Sequence, residues 1–559
     1  MVKRWFSFIG QEIRGLHEAA YLLAIFAALS LVLALIRDKL LAYTFGAGQA
    51  LDVYYAAFRI PDLIFATIGS LVSASILLPY FIERFETSKE KGRLFSDSIF
   101  TVFFVAMALV SALVFIIAPW LIPKVLPGFA NDPILPDLIL STRIMLFSPF
   151  FLGLSNLFSS LTQMRHRFLV YAVSPVVYNA GIIAGLIFGY PIFGIAGLAI
   201  GVALGAILHF GVQIPFMLHE NITPRFTLDI QWSNLKKIIM TTLPRTFTLS
   251  ASQLASFILV SLASIMATGS ISVYNFAFNL QSVPLTLIGA SYSSAVFPTL
   301  SRLLFKGDIA TFKEKMIISA RHIIFWSMPL TVLFIVLRAQ IVRTVLGAGK
   351  FDWPDTRLTA AMLALFMVST IGQSLIVLFV KSFYAEGKTA RPLLINTVSA
   401  VVMALCGFLL YKAFYLYPIF GYFLEFLLKV DGQVGTSVLT LALAYTIGII
   451  VSTILHWYVY EKQYPGFSKP VLATLYHTFA ASVIMGYMTF LSLRIFAALF
   501  PLTKVWGIFL QGLCSGLVGL VILFLILKIL KNKELDDVIT TLHHKIWKVS
   551  VPPAEVEHL

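Results

Sequence analysis

Six charged residues crowd between positions 37 and 62: Arg37, Asp38, Lys39, Asp52, Arg59 and Asp62. Arginine presents a planar fork of donors that matches phosphate or carboxylate oxygens, and a nearby carboxylate can hold that fork in position. Arg59 follows Asp52 by seven residues, about 10 Å along a helix at ~1.5 Å per residue. Arg143 and Arg245 each stand alone in apolar surroundings. Two roles suit the set: Arg37 and Asp52 bracing a broken helix as an ion pair, and arginines lining a watery cavity that takes an anionic head group. The two roles are compatible. Other chemistry is not indicated. P-loop, HExxH and GxSxG patterns are absent, so no enzyme is expected. The histidines lack ligand spacing, and Cys406 and Cys514 sit in separate apolar runs, so neither a metal site nor a disulfide framework is expected. No cofactor is expected either. Coupling to a membrane potential or a cation gradient is left open, because no carboxylate is embedded between 238 and 300 or 316 and 340.

The elements that must position these charges are membrane helices. Of 559 residues, 59% are apolar and 12% charged, with mean hydropathy +0.90; soluble domains carry about 25% charged residues. The apolar runs are too long and too continuous for barrel strands, which alternate over about ten residues. Windows predict an all-α polytopic membrane protein of about fourteen transmembrane helices, near 19–44, 52–82, 97–118, 138–163, 168–189, 195–218, 238–267, 271–300, 316–340, 358–384, 392–413, 436–459, 470–498 and 505–530. The basic start followed by an apolar run imitates a signal peptide. It has no clear small-residue cleavage site, so a retained first helix is expected.

Charge sets the orientation. With the N-terminus inside, the inner segments carry 27 Lys and Arg and the outer ones 9. This bias places both termini in the cytoplasm. It also accounts for the net charge of +15 without a nucleic-acid partner, since the basic residues lie in short loops.

The chain repeats itself. At a shift of 220, Val53-Tyr54 falls on Val273-Tyr274, Ala57-Phe58 on Ala277-Phe278 and Ile68-Gly69 on Ile288-Gly289; at 225, Val173-Ser174 falls on Val398-Ser399. Two six-helix copies with the same orientation follow, as in parallel-repeat transporters. The organisation predicted is a cytoplasmic segment 1–18, an N-lobe 19–218, a linker 219–237, a C-lobe 238–461, a helix pair 470–530 and a cytoplasmic tail 531–559. Gly46 and Gly48 form a tight connection after the first helix. Pro61 and Pro284, with Pro79, Pro244 and Pro298, interrupt helices in matching copies, which suggests bending. Gly46, Gly48, Pro61 and Pro284 are candidate hinges. The turns 46–48 and 267–270 hold equivalent places and are expected to meet when a cavity opens inward. An aromatic insertion, 414–435, reads equally as an outer-leaflet interfacial segment or as packing on the second lobe.

The run Ile36-Arg37-Asp38, Phe45-Gly46-Ala47-Gly48, Asp52 and Ala57-Phe58-Arg59-Ile60-Pro61 resembles the N-terminal signature of the MurJ/MviN lipid II flippases of the MOP superfamily. Ala118-Pro119-Trp120, Pro127-Gly128-Phe129-Ala130, Gly289 with Pro298-Thr299-Leu300-Ser301, Gly349-Lys350-Phe351 and Arg391-Pro392 extend the resemblance over nearly the whole chain. It implies a bacterial inner-membrane exporter with two six-helix lobes around a cationic cavity, and 470–530 as a groove for a polyprenyl tail. The implied cargo is undecaprenyl pyrophosphate carrying the peptidoglycan disaccharide-peptide, flipped by alternating access for cell-wall and cell-shape biogenesis. The implied partners are this lipid-linked anionic glycan and membrane lipid, with the protein a monomer. Arg37 and Asp52 match family positions needed for function. Arg59, Arg245, Lys39 and Arg143 complete the expected substrate-binding set. Leu31, Phe65 and Asn279 stand where the family resemblance leads one to expect cavity arginines. A flippase for another polyprenyl-linked saccharide, or a small-molecule exporter of the same fold, therefore remains an alternative.

Overall fold

A computed structural model describes residues 16–546, apart from 73 and 166. Among the described residues all regular structure is helical, and twelve helices are long and apolar enough to cross a membrane, from Lys89–Val125 to Val505–Ile529. They coincide with twelve of the predicted windows and overrun many of them, because helical hydrogen bonding continues past the apolar stretch. Lys89–Val125, for example, covers the window 97–118.

The two windows outside those twelve are the first two. Leu16–Phe45 is one helix of 30 residues. The window 52–82 is broken into Gln49–Ala57, Arg59–Thr67, a 3-10 turn Gly69–Val72, and Ala74–Thr87. Pro61 accounts for the first break: it has no N–H to bond Ala57 O, four residues back, while Phe58 keeps helical dihedrals and Asp62 N bonds Phe58 O at 2.8 Å. The 3-10 turn after Thr67 lies beyond its reach. The matching helix of the second copy is also interrupted: Ser270–Pro284 runs into a π-helical stretch, Leu285–Ala290, and then Ser291–Phe305. Ile68-Gly69 and Ile288-Gly289 both fall in the irregular stretch, so the repeat seen in sequence is also a repeat of helix defects.

The chain divides into two compact units. One comprises the residues up to Asn279 with Val345–Leu365 and Lys388–Ser452; the other comprises Leu280–Thr344, Phe366–Gly387 and the residues from Thr453. In the first unit, Phe168–Ala184 with its π-helical extension Gly185–Gly189 packs on Ile195–Gly211 through facing glycines. Gly181 meets Gly205, Gly185 meets Gly201 and Gly189 meets Gly197, so the backbones touch. Beside them, polar side chains satisfy one another as a low-dielectric interior demands. Ser155 Oγ lies 2.7 Å from His209 Nδ1, and Ser159 Oγ donates to Gln213 Oε1 at 3.2 Å.

The second unit is held by an aromatic and aliphatic core including Phe312, Ile323, Phe379, Phe383, Tyr460 and Phe467. The segment 531–559, read as a polar tail, contains the helix Lys533–Ile546. Asn532 caps it by accepting from Leu535 N at 3.0 Å, and Leu535 enters a core cluster with Phe325, Met485 and Leu527. Glu534 is buried and accepts from Arg321 Nε at 2.6 Å and Thr474 Oγ1 at 2.7 Å. Burial alone would raise its carboxyl, but these hydrogen bonds outweigh that and hold it below the usual glutamate range.

Candidate functional site

The site is organised by one face of the helix Ser270–Pro284. Ser272, Asn275 and Asn279 are spaced i, i+3 and i+7, so they line up on a single side. Each meets one of the charged residues singled out in the first copy, and all of them belong to the first compact unit.

Asp52, 4% exposed, accepts from Gly269 N at 2.6 Å, Ser272 N at 2.8 Å and Ser272 Oγ at 2.6 Å. It therefore caps the N-terminus of Ser270–Pro284, where a carboxylate meets free backbone donors and the positive end of the helix dipole. Asp52 and Ser272 are equivalent positions at the repeat shift of 220, so the two copies join through their own symmetry-related residues. This corrects the reading of Asp52 as the partner of Arg37.

Arg37 finds its carboxylate next door instead. Its Nε and Nη2 donate to Asp38 Oδ1 at 3.0 and 2.8 Å, and Nη1 donates to Asn179 Oδ1 at 3.2 Å. The Arg37 side chain is 20% exposed and that of Asp38 6%. Asp38 Oδ2 accepts from Asn279 Nδ2 at 3.0 Å. Asn179 also donates to Ser30 Oγ at 3.2 Å, which ties the helices Leu16–Phe45 and Phe168–Ala184 together. Arg59 donates through Nη2 to Asn275 Oδ1, while its buried Nε has no hydrogen-bond partner. Asp62 lies one turn further along the same helix, half-buried.

The turns around this site meet at one end of the unit. Lys350 N donates to Tyr43 O at 2.9 Å, and Ala47 N donates to Asp355 Oδ2 at 3.0 Å. Gly46 has φ +63°, and a Cβ there would lie 2.7 Å from Lys350 O; Gly269 has φ +90°, and a Cβ there would overlap Ala47 O. Only glycine meets both demands at these positions. The turns 46–48 and 267–270 thus pack on each other. Gln49 Nε2 to Asp132 Oδ2 at 2.9 Å and Gly128 N to Ser264 Oγ at 3.2 Å close the same end further.

The remaining predicted residues are placed as follows. Lys39 is half-buried on the helix that carries Arg37. Arg143 turns to the helix Lys89–Val125, donating from Nε to Phe115 O at 2.9 Å with its guanidinium 4.6 Å from the Phe115 ring centroid. The side chain of Arg245 lies outside the described residues. Gly48 is the N-cap of Gln49–Ala57, and Pro284 leads into the π-helical stretch. Asn179, Asn275 and Ser272 were not singled out in the sequence. The repeat register, which sets Ser272 opposite Asp52, was the available signal for the last. Among the described residues no group of His, Cys, Asp and Glu is arranged to hold a metal ion.

A family model described as lipid II flippase MurJ matches residues 41–510. The chain belongs to the MurJ family. The lipid II flippase MurJ of Burkholderia cenocepacia is 26% identical over 402 residues, covering 70% of this chain and 78% of that protein. The probable lipid II flippase MurJ of Thermotoga maritima is 24% identical over 519 residues, covering 91% and 96%. A solved MurJ in an inward closed conformation superposes with a TM-score of 0.72 at 21% identity, over 92% of this chain and all of that one. An inward-facing MATE transporter of the MOP superfamily shares the fold at 14% identity, with a TM-score of 0.62 over 79% and 96%. The chain is thus a multi-pass, all-α membrane protein. Its Asn279, at a position where arginine was expected, uses its amide to hold Asp38. Phe65, at another such position, packs its ring on Gly69.

Proposed function

We propose that the chain carries lipid II from the inner to the outer leaflet of the bacterial plasma membrane by alternating access. The observation that carries this reading is the Arg37–Asp38–Asn279 arrangement beside the Asp52-capped helix, in a chain whose relatives are named lipid II flippases. Arg37 spends two donors on a single carboxylate oxygen. A pyrophosphate offers that fork a more highly charged acceptor, so the cargo displaces Asp38, which stays held by Asn279. Arg59, with one buried N–H unpartnered, supplies a second donor.

The end closed by the turns 43–48, 264–272 and 347–355 is the one that the basic-residue bias assigns to the outside. With both termini cytoplasmic, this state receives cargo from within, and loss of the Asp52 cap releases it outward. Exposed apolar side chains along the final helix pair, among them Phe479, Val483, Leu517 and Val521, support a seat there for the polyprenyl tail. The chain acts as a transporter and not a catalyst, as a monomer and without a cofactor. An anionic head group leaving a negative interior gains about 2.3 kcal/mol per charge per 100 mV, so the membrane potential favours export.

The test is replacement of a host's own lipid II flippase by this chain, which should sustain growth. Lysis with the protein present in the membrane at normal abundance would reject lipid II as cargo. It would favour a less anionic lipid-linked saccharide, in keeping with the neutral Asn279.

A further inference from the structure

The insertion between Ala390–Leu416 and the next span forms an eleven-residue helix, Pro418–Leu428. Its two faces differ sharply. Gly421, Leu424 and Leu428 are buried, and Gly421 rests against Phe414. Glu425, the only charged residue of this helix, accepts from Thr436 Oγ1 at 2.6 Å and so is pinned to the chain. The opposite face carries no charge. Ile419 is 83% and Phe426 80% exposed, with Tyr422, Phe423 and Leu427 also exposed beside them.

We infer that this face lies in the plane of the membrane, at the boundary between lipid head groups and acyl chains on the side of the closed turns. Three observations commit it to lipid. The exposed stripe of the preceding span, Val398, Val401, Leu405 and Leu409, continues through Tyr415 and Leu416 into the helix, so the patch extends a surface that already faces lipid. The level is fixed, because the helix begins two residues after the span ends, and Tyr417 in extended conformation turns the chain before Pro418. The rim has the composition of an interface. Tyr411, Tyr415, Tyr417 and Tyr422 supply amphipathic rings, Lys412 lies 4.5 Å from the Phe408 ring centroid, and Lys429 ends the helix in a left-handed conformation with its carbonyl held by Arg357 Nε at 3.1 Å. The Arg357 contact, and that of Gly435 with Ala267, place the helix beside the turns that close the unit.

The helix is therefore an in-plane anchor, which fixes the depth of that end of the unit in the outer half of the bilayer. The inference needs only a membrane and is independent of the cargo. It is tested in the full chain with Cys406→Ser and Cys514→Ser, carrying Ile419→Cys or Phe426→Cys labelled with bimane. The labelled protein is placed in phosphatidylethanolamine–phosphatidylglycerol vesicles containing dibrominated lipid. Both labels should be quenched by the brominated lipid, at a depth of about 5–10 Å from the head-group boundary, and should be roughly fivefold less accessible to aqueous iodide than a label at Asp431→Cys. Either position alone suffices if the other variant does not elute as a single folded species. Iodide quenching as strong as at Asp431 would overturn the inference. So would protection from both quenchers, which would mean that a partner protein or a second copy covers the face.

Discussion

Asp52→Asn isolates the joint between the two copies. The amide oxygen still accepts from Ser272, but the amide nitrogen replaces the oxygen that takes Gly269 N at 2.6 Å, so a donor faces a donor in a buried site. A hydrogen bond to a charged group is worth about 1.5–3 kcal/mol, and a carboxylate at a helix N-terminus about 0.3–1 kcal/mol more. Together they favour the closed end by about 2–4 kcal/mol, which at ~1.4 kcal/mol per factor of ten is roughly a 30- to 700-fold shift in the open-to-closed ratio. The assay is the rate at which a membrane-impermeant maleimide labels Ala47→Cys in intact cells, with abundance checked by immunoblot. Where opening limits access, labelling should accelerate by at least an order of magnitude in Asp52→Asn, and transport should fall because the state that loads cargo is depleted. An unchanged labelling rate at normal abundance would refute the claim that the Asp52 cap holds this end shut.

Further outcomes follow from the same geometry. Arg37→Lys should impair transport nearly as much as Arg37→Ala, because an ammonium cannot reproduce the fork that grips Asp38 or a phosphate; full activity of the lysine variant, measured as growth on this chain alone, would reduce Arg37 to a point charge. A cysteine pair at Ala47 and Thr268 should crosslink and block transport, and a crosslinked protein that still transports would exclude outward opening at these turns. Docking of the helix Lys533–Ile546 should depend on acid. Glu534 titrates below its ordinary value of 4.5, so its contribution is complete above that pH and fades as the pH falls through the lowered value. Protection of the amides across 533–546, taken relative to the intrinsic exchange rate at each pH, should fall on acidification in the parent chain and be already low and unchanged with pH in Glu534→Gln.

The sequence made the helices legible because lipid enforces long apolar runs, and the charge cluster legible because ions are rare within them. The repeat was visible as well, since Val53-Tyr54 and Val273-Tyr274 keep their register. The joints were not. Asp52 binds two backbone N–H groups, which have no letter in the sequence, and the carboxylate nearest Arg37 in the folded chain proved to be the adjacent Asp38. The break at Phe58 is the one that Pro61 announces, by withholding a bond from Ala57 O, whereas the irregular stretch after Thr67 carries no proline to mark it. Arg143 looked like Arg59 as an isolated cation in an apolar run, yet a neighbouring backbone carbonyl and a phenyl ring satisfy it. Polar neighbours such as Asn179 and Asn275 carry no charge to mark them, and their roles appear only once helices are packed.

The central claim is that Arg37, parked on Asp38, takes the pyrophosphate of lipid II. Its most direct test is the amount of lipid II that reaches the outer face of cells depleted of their own flippase and supplied with this chain or its Arg37→Ala variant at equal abundance. The parent chain should restore lipid II at the outer face and the variant should leave it inside. Equal export by both, or export by neither with the protein correctly inserted, would contradict the account.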